Sequence, residues 1–166
     1  MRPTRIDRPA AEIITLEQAK AQRRIDYDDQ DTLTQQHVSA AINHLDGYDG
    51  VLGRCMVSQK WRVPFSGFHR KLPLPFPDAI SVEVKYKDTI GDARTLSAQA
   101  YEVIEGHGGA EVHIHASTLP SVFSDSVQPV WVEGVFGYGG VGDVPADLKQ
   151  AALMLAAHFD MQREAT

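Results

Sequence analysis

The spacing of hydrophobic positions changes twice along the chain, from helical to alternating and back to helical. Apolar residues recur at helical spacing over residues 15–25 and 32–48, and again over residues 145–163. Thr15 is a favourable N-cap, and Gln18 three positions later completes a capping-box pattern. The pattern therefore predicts two helices near the N-terminus and one at the C-terminal end.

Between these segments the apolar positions follow the spacing of β-strands. Residues 80–87 (ISVEVKYK) alternate strictly, which predicts a strand with Ile80, Val82, Val84 and Tyr86 on one face. Looser alternation predicts further strands over residues 56–63, 101–104, 110–116 and 127–136. Several prolines within residues 64–77 exclude regular structure from most of that stretch.

The order of these elements predicts an α+β fold. Two N-terminal helices and one C-terminal helix form a small helical bundle, and an antiparallel β-rich insertion covers about residues 54–137. Residues 1–13 contain two prolines and no periodicity, so we expect a flexible arm there. Residues 14–163 then form a single domain, and residues 164–166 a C-terminal tail.

Composition narrows the class of protein. The 166 residues carry a formal net charge of -6, and their 43% hydrophobic content is typical of globular proteins. Cys55 is the only cysteine, which excludes an intrachain disulfide and a thiolate zinc cluster. The longest apolar runs fall short of the roughly 18 residues of a membrane span, and no apolar stretch follows the N-terminal arginines. We therefore expect a cytoplasmic chain at synthesis, without a signal peptide and without membrane contact.

Charge is distributed in blocks of opposite sign. Residues 25–50 contain six aspartates and neither Lys nor Arg, whereas residues 51–94 contain eight basic and four acidic residues. A dominant basic patch, as in nucleic-acid-binding proteins, does not occur. Such blocks suit head-to-tail contacts between copies of the chain, or they are simply solvated faces.

A glycine-rich motif, GYGGVG at residues 137–142, fits the pattern GxGxxG. A dinucleotide site would need a second strand after the following helix, but only 24 residues remain. Pro145 also removes an amide from the first helical turn, where phosphate would bind. The motif therefore predicts a tight turn with glycines at positive φ, and no cofactor is expected.

Histidines are the other candidates for chemistry. His113 and His115 share one face of a predicted strand and His107 lies nearby, so a small metal-binding β protein or enzyme is an alternative function. No Glu follows them at the spacing of a cupin-like site, which favours solvent-facing side chains. His37 and His44 share a helix face without a carboxylate partner. We therefore expect neither a metal site nor a catalytic set, and predict that the chain is not an enzyme.

Two further groups of residues are candidates for contacts. The proline-rich stretch holds Phe65, Phe68, Leu72, Leu74 and Phe76, which either pack on the chain's own sheet or are offered to a neighbour. We favour the neighbour, because exposed apolar groups mark interaction sites. The second group is the acidic turn with Asp28, Asp29 and Asp31, which we interpret as solvated surface charge with ordinary pKa values.

Several stretches carry a family resemblance in a fixed order. They are IITLEQAKAQRRID, GRCMVSQKWRV, LPLPFPDAISVEVKYKD, LSAQAYEVIE and VWVEGVFGYGGVGDVPADLKQAALMLAAHF. With these motifs the chain resembles the head–tail connector (adaptor) proteins of long-tailed phages and of phage-derived gene transfer agents. The resemblance runs from about Ile14 to Arg163. The arm before Ile13 and the stretch over residues 65–77 are longer than is ordinary for that family.

The resemblance implies a structural role in a virion or virus-like particle. Such adaptors form a homo-oligomeric ring, usually a dodecamer, between the portal protein and a tail-side stopper or head-closure protein. The ring continues the channel through which DNA passes without sequence-specific binding. In this family the C-terminal helix and tail contact the portal, which implies docking by Asp160, Met161, Gln162, Arg163 and Glu164. Asp28, Asp29 and Asp31 become candidate residues of the channel or of a subunit interface.

Overall fold

Helices and strands alternate in blocks in a computed structural model that describes residues 2–7, 12–106, 108–115, 117 and 119–161. The helices are α1 (Leu16–Arg23), α2 (Asp31–Leu45) and α3 (Ala146–Met161). The strands are β1 (Thr4–Arg5), β2 (Gln59–Phe65), β3 (Lys71–Pro73), β4 (Ala79–Lys87), β5 (Ala93–Thr95), β6 (Tyr101–Gly106), β7 (Gly109–Ile114) and β8 (Val130–Phe136). The predicted α+β class is confirmed, with both early helices and the late helix in place.

The start of α1 has the capping box that the sequence indicates. The backbone N–H of Gln18 donates to Thr15 Oγ1 at 3.2 Å, and the N–H of Thr15 donates to Gln18 Oε1 at 3.0 Å. Two amides that the helix cannot satisfy itself are thereby paired, which stabilises the first turn. The helix ends at Arg24, which adopts the left-handed conformation with φ 55°.

The chain separates into two compact units, a β unit (Met1–Arg8 with Ser58–Gly137) and a helical unit (Pro9–Val57 with Tyr138–Thr166). Their boundaries fall next to the ends of the predicted insertion, residues 54–137. The division into arm, single domain and tail stays a prediction.

The β unit contains two antiparallel sheets. One has the strand order β1-β2-β8-β4-β5 and the other the order β3-β7-β6. An aromatic cluster lies in its core, where the ring of Phe76 is 4.9 Å from that of Trp61 and 5.3 Å from that of Phe136. Val112 and Ile114 are buried, as the alternation of β7 predicts.

Three short strands were not predicted from the sequence. Thr4–Arg5, inside the segment expected to be an irregular arm, pairs with β2, and the N–H of Ile6 donates to the carbonyl of Lys60 at 2.8 Å. Lys71–Pro73 pairs with β7 inside the proline-rich stretch. The third is Ala93–Thr95, beside β4. Each runs for two or three residues beside a longer strand, too short to leave a periodic signal.

Proline occurs inside β2 without interrupting it. The residues of β2 that pair with β1 end at Arg62, and Pro64 lies beyond them. Alternate residues of a strand direct their N–H groups to the same neighbour, and Lys60 already bonds on the β1 side. The missing N–H of Pro64 therefore faces the side on which no further pairing follows, where its loss costs no ladder hydrogen bond.

The predicted face of β4 is wrong at its first position. The register of β4 against β8 shifts between Ala79 and Ser81, so Ile80 is the extra residue of a β-bulge. Ile80 is exposed, whereas Val84 of the same predicted face is fully buried. The bulge rotates Ile80 out of the alternation that the rest of the strand obeys.

The helical unit has a core built on small side chains. Val38 and Ala41 of α2 face Ala152 and Ala156 of α3, and Ile14 is buried with them. Alanine at these positions allows the two helix backbones to approach closely. Among the described residues no helix combines the length and apolarity that a membrane crossing requires.

The glycine-rich motif forms a tight turn, as predicted. Gly137 and Gly139 have φ values of 126° and 119°, a region that side chains disfavour. A Cβ atom on Gly139 would lie 2.6 Å from Asp143 Oδ2. That carboxylate accepts the N–H of Gly140 at 2.8 Å and closes the turn before α3.

Candidate functional site

The proline-rich stretch is fastened to the chain's own β unit. Leu72, Leu74 and Phe76 are buried. The N–H of Leu74 donates to the carbonyl of Ala110, and the N–H of Ala110 donates to the carbonyl of Phe76, both at 2.8 Å. Because these backbone bonds continue the β3–β7 pairing, the side chains are turned into the core. The expectation that Leu72, Leu74 and Phe76 meet a neighbour is therefore corrected in this structure.

The remaining two aromatic residues of that group are only partly covered. Phe65 at the end of β2 and Phe68 in the following turn are half-buried. The ring of Phe68 lies 5.5 Å from the ring of Tyr86 in β4. Their contact with a partner stays a prediction.

A network of charges covers one face of the five-stranded sheet. Glu133 stands at the centre of β8, directly opposite Arg62 of β2 and Glu83 of β4. Its carboxylate accepts from Arg62 at 2.7 Å and from Lys85 at 2.9 Å, and Lys60 Nζ lies 3.3 Å away. Only 6% of Glu133 is exposed, because these longer side chains lie over it.

The ionisation of Glu133 follows from these neighbours. Burial raises the pKa of Glu133, but hydrogen bonds from Lys85, Arg62, Trp131 and Lys60 outweigh it and lower the pKa from 4.5 to about 2. The carboxylate is therefore charged at neutral pH. It joins the three central strands of the sheet from β2 to β4.

The histidines that the structure describes do not assemble into a metal centre. His113 Nε2 lies 2.8 Å from Glu111 Oε2, and this hydrogen bond lowers the pKa of Glu111. His115 is exposed, and His107 lies outside the described residues. Within the part of the chain that the structure describes, no three His, Cys, Asp or Glu side chains come together as metal ligands would.

Asp160, predicted as part of a docking tail, belongs to the interior of the helical unit. It lies in the last turn of α3 and is 7% exposed. Arg23 Nη2 at the end of α1 donates to its carboxylate, and Arg23 Nη1 donates to Thr34 Oγ1 of α2 at 3.2 Å. His37 Nδ1 lies 3.2 Å from Asp160 Oδ1. Asp160 therefore connects the three helices, which corrects both its assignment to a polar tail and the absence of a carboxylate near His37.

The other predicted docking residues come immediately after Asp160 in the chain. Met161 is the last residue of α3 and is exposed. Gln162, Arg163 and Glu164 lie outside the described residues. The docking role of these residues stays a prediction.

The acidic turn before α2 is held by one lysine. Lys20 Nζ of α1 lies 2.6 Å from Asp28 Oδ1 and 2.7 Å from Asp31 Oδ1. The hydrogen bond from Lys20 lowers the pKa of Asp28, so the prediction of ordinary pKa values is wrong for that residue. Asp28 is still 87% exposed at its side chain, and Asp29 is exposed too.

An open groove of about 690 Å³ runs along the outer side of α2. Its walls are uncharged except at one end, where Asp31 lies, and its lining residues are Leu16, Asp31, Thr32, Gln35, Gln36, Ser39, Ala40 and Asn43. A helix face so poor in charge is unusual on a solvated surface and typical of a contact surface.

Comparison with solved structures identifies the fold. One match is a chain in the virion of a native gene transfer agent (GTA) particle, with a TM-score of 0.81 and 16% sequence identity, covering 100% of this chain and 87% of that one. A second is in the neck of an empty GTA particle computed with C6 symmetry. It has a TM-score of 0.80 and 17% sequence identity, covering 100% of this chain and 87% of that one. A third is in the neck of a native GTA particle computed with C12 symmetry, with a TM-score of 0.74 and 18% sequence identity, covering 100% of this chain and 86% of that one.

These likenesses confirm, at the level of the fold, the resemblance that the sequence motifs indicate. They extend over the whole chain, so both the helical unit and the β unit have counterparts in chains of GTA particles. No family model matches the chain, and no curated protein sequence matches it.

Sequence reasoning missed the two buried carboxylates, Glu133 and Asp160. A signal for Glu133 was present, because a lone acid interrupts the apolar strand VWVEGVF. Such an acid in a buried strand needs cationic partners. Asp160 gave a weaker signal, in that it follows Ala152 and Ala156 at intervals of one helical turn and so shares their buried face.

Proposed function

We propose that this chain is a structural adaptor that forms an oligomeric ring in the neck of a phage-like particle, between the portal and the tail-side proteins. The observation that carries the proposal is the end-to-end match of the fold to a chain in a GTA virion and to chains in two GTA necks, computed with C6 and C12 symmetry. A ring of twelve copies that encloses the DNA channel fits both symmetries.

The electrostatics of the chain support this role. The net charge is -6, and Asp28 and Asp29 stay exposed beside α2. A wall that repels phosphate lets DNA slide, whereas clustered Lys and Arg would bind it. We assign Asp28 and Asp29 to the channel or to a subunit contact.

The structure refines the proposed portal contact. Asp160 is held inside the helical unit by Arg23, so it anchors the end of α3 and is not itself a docking group. The docking segment then begins at Met161, which is exposed, and continues through Gln162, Arg163 and Glu164. A fixed helix end that presents a following segment is an efficient way to dock, because less of the chain loses freedom on binding.

The test is electron microscopy of the particle neck together with a deletion of residues 162–166. We expect ring density at the portal that accommodates this chain, and we expect the deletion to leave the protein folded but absent from the necks. A matched control is Val127→Glu, an exposed position in the β unit. Particles whose necks lack the chain would contradict the adaptor role, whereas normal incorporation of the truncated chain would contradict only the docking segment.

A further inference from the structure

The exposed side of α2 carries uncharged side chains that line the groove described above. Thr32, Gln36, Ser39, Ala40 and Asn43 are all exposed and follow one another at intervals of three or four residues, or are adjacent. None carries a charge, and none is larger than glutamine. We call these five residues the α2 face. A second helix could approach the middle of this face closely, because Ser39 and Ala40 are small there.

The exposed side of α3 also presents a row of side chains. Ala151, Met154 and His158 are exposed at intervals of three or four residues. Met154 is 60% exposed. We call these three residues the α3 stripe. A long flexible methionine adapts to the surface that it contacts.

The two surfaces lie on different sides of the helical unit. The buried residues of α2 are Thr34, Val38 and Ala41, half a helix turn away from the α2 face. The α3 stripe is likewise opposite the buried Ala152 and Ala156. Because both helices direct their buried sides to one core, their exposed sides point away from it in different directions.

We propose that the α3 stripe of one copy docks on the α2 face of the next copy, and that this is the repeated contact of the ring. The inference rests on the proposed function. A contact between two different surfaces leaves one unused surface on each of the two copies, so it propagates and closes into a ring when the rotation per subunit allows. The occupant of the groove along α2 is thus a second copy of this chain.

Charge and length match when the two helices run antiparallel. His158 of the stripe then lies near Asp31, which lines one end of the groove and, although it pairs with Lys20, keeps 34% of its side chain exposed. From Asp31 to His44 the helix rises about 20 Å, and from Asp147 to His158 about 17 Å. One end of the contact therefore pairs an imidazole with a carboxylate, and antiparallel helix dipoles add to the attraction.

The first test places one charge in each surface separately. Ala40→Arg alters the α2 face and Met154→Glu alters the α3 stripe, and both residue types are compatible with a helix. We expect each variant to fold, as judged by circular dichroism and thermal melting, and to enter particle necks at least tenfold less than the wild type. Val127→Glu, the matched control outside both surfaces, is expected to enter normally.

A mixture of the two variants tests the head-to-tail arrangement. Ala40→Arg keeps an intact stripe and Met154→Glu keeps an intact face, so one good contact remains between them. Sedimentation at high protein concentration should then show dimers in the mixture and monomers of each variant alone. Equal behaviour of the mixture and of its components would overturn the proposed pairing.

Cross-linking in the particle separates this inference from the proposed function. A chain with Ser39→Cys and Met154→Cys, in which the fully buried Cys55 is kept, should give a ladder of disulfide-linked copies in purified necks, whereas each single variant should give none. Copies present in the neck without a ladder, together with normal entry of Ala40→Arg and Met154→Glu, would overturn the contact and leave the adaptor role intact. Absence of the wild-type chain from the neck would overturn both.

Discussion

Among the residues that the structure describes, each unit of the molecule buries one carboxylate, and the two units hold it differently. Glu133 of the β unit lies under Lys60, Arg62 and Lys85, which come from strands on both sides of it. Asp160 of the helical unit pairs with Arg23, with His37 close by. Lys60 and Arg62 are about half exposed, whereas the side chain of Arg23 is mostly covered.

Glu133 and Asp160 should differ in how much stability is lost when one of their cationic partners is removed. Around Glu133, several cations share one negative charge, and those that lose it can turn into water. Around Asp160, loss of Arg23 leaves a carboxylate in a place that water reaches poorly. A buried charge without its partner is costly, whereas a pair at the surface contributes little. We therefore expect the helical unit to be the more sensitive of the two to a single substitution.

The largest effect is expected for Arg23→Ala. It should lower the free energy of unfolding by about 2–4 kcal/mol, because Asp160 stays behind in the interior. Denaturant titration measures this change. Arg94→Ala, which removes an exposed ion pair with Asp88, is the matched control and should leave stability nearly unchanged.

A double variant tests the ion pair between Arg23 and Asp160 further. Arg23→Met combined with Asp160→Leu should recover most of the loss, because an apolar pair replaces an orphaned charge. If Arg23→Ala alone were as mild as Arg94→Ala, the pair would not be the connection among the helices that its burial indicates.

Glu133→Gln is expected to have the next largest effect. The substitution keeps the shape but removes the charge that holds the cations, and it should cost roughly 1–3 kcal/mol at neutral pH. The cost stays below that of Arg23→Ala, because the half-exposed Arg62 and Lys60 regain water. Thermal melting of both variants side by side decides the order.

Acid should lower the stability of the β unit through protonation of Glu133. The pKa of Glu133 is lowered from 4.5 to about 2 in the folded state, so its contribution to stability is complete above about pH 4.5 and is lost as the pH falls through about 2. The wild type should lose roughly 1–3 kcal/mol relative to Glu133→Gln over that range. Parallel pH profiles of the two proteins would contradict the network.

The smallest effect is expected for the cations one at a time. Lys85→Ala should cost about 1 kcal/mol and Lys60→Ala less, because Lys85 is the more covered of the two and lies closer to Glu133. Denaturant titration of each variant gives these values. A loss at Lys60 equal to that of Arg23→Ala would mean that the network is not shared among its cations.

Local patterns in the sequence predicted most of the helices, strands and turns. The capping box at Thr15, the alternation within residues 80–87 and the positive φ values of Gly137 and Gly139 depend on neighbours a few residues apart, and all three were read from the chain. The same patterns failed where a strand pairs with a segment that is distant in the chain. Thr4–Arg5 forms a strand because it pairs with the edge of β2. Ile80 leaves its predicted face because it lies in a β-bulge, where the pairing of β4 with β8 shifts register.

The candidate site was predicted less well than the fold. Leu72 and Phe76 looked available to a partner, since prolines surround them, but backbone bonds to Ala110 turn that stretch inward. Asp160 looked like the start of a polar tail, but Arg23, 137 positions earlier, draws it into the core. Both errors concern exposure, which is a property of the whole unit and not of a short segment.

The amino-acid sequence by itself determined the order of the helices and of the longer strands, the cap at Thr15, the glycine turn before α3 and the family resemblance. These depend on spacing and backbone preference, which act over a few residues. Only the tertiary structure decided which carboxylates are buried, which cations reach them and which helix faces stay exposed. Burial and ion pairing join residues far apart in the chain, and folding alone brings them together.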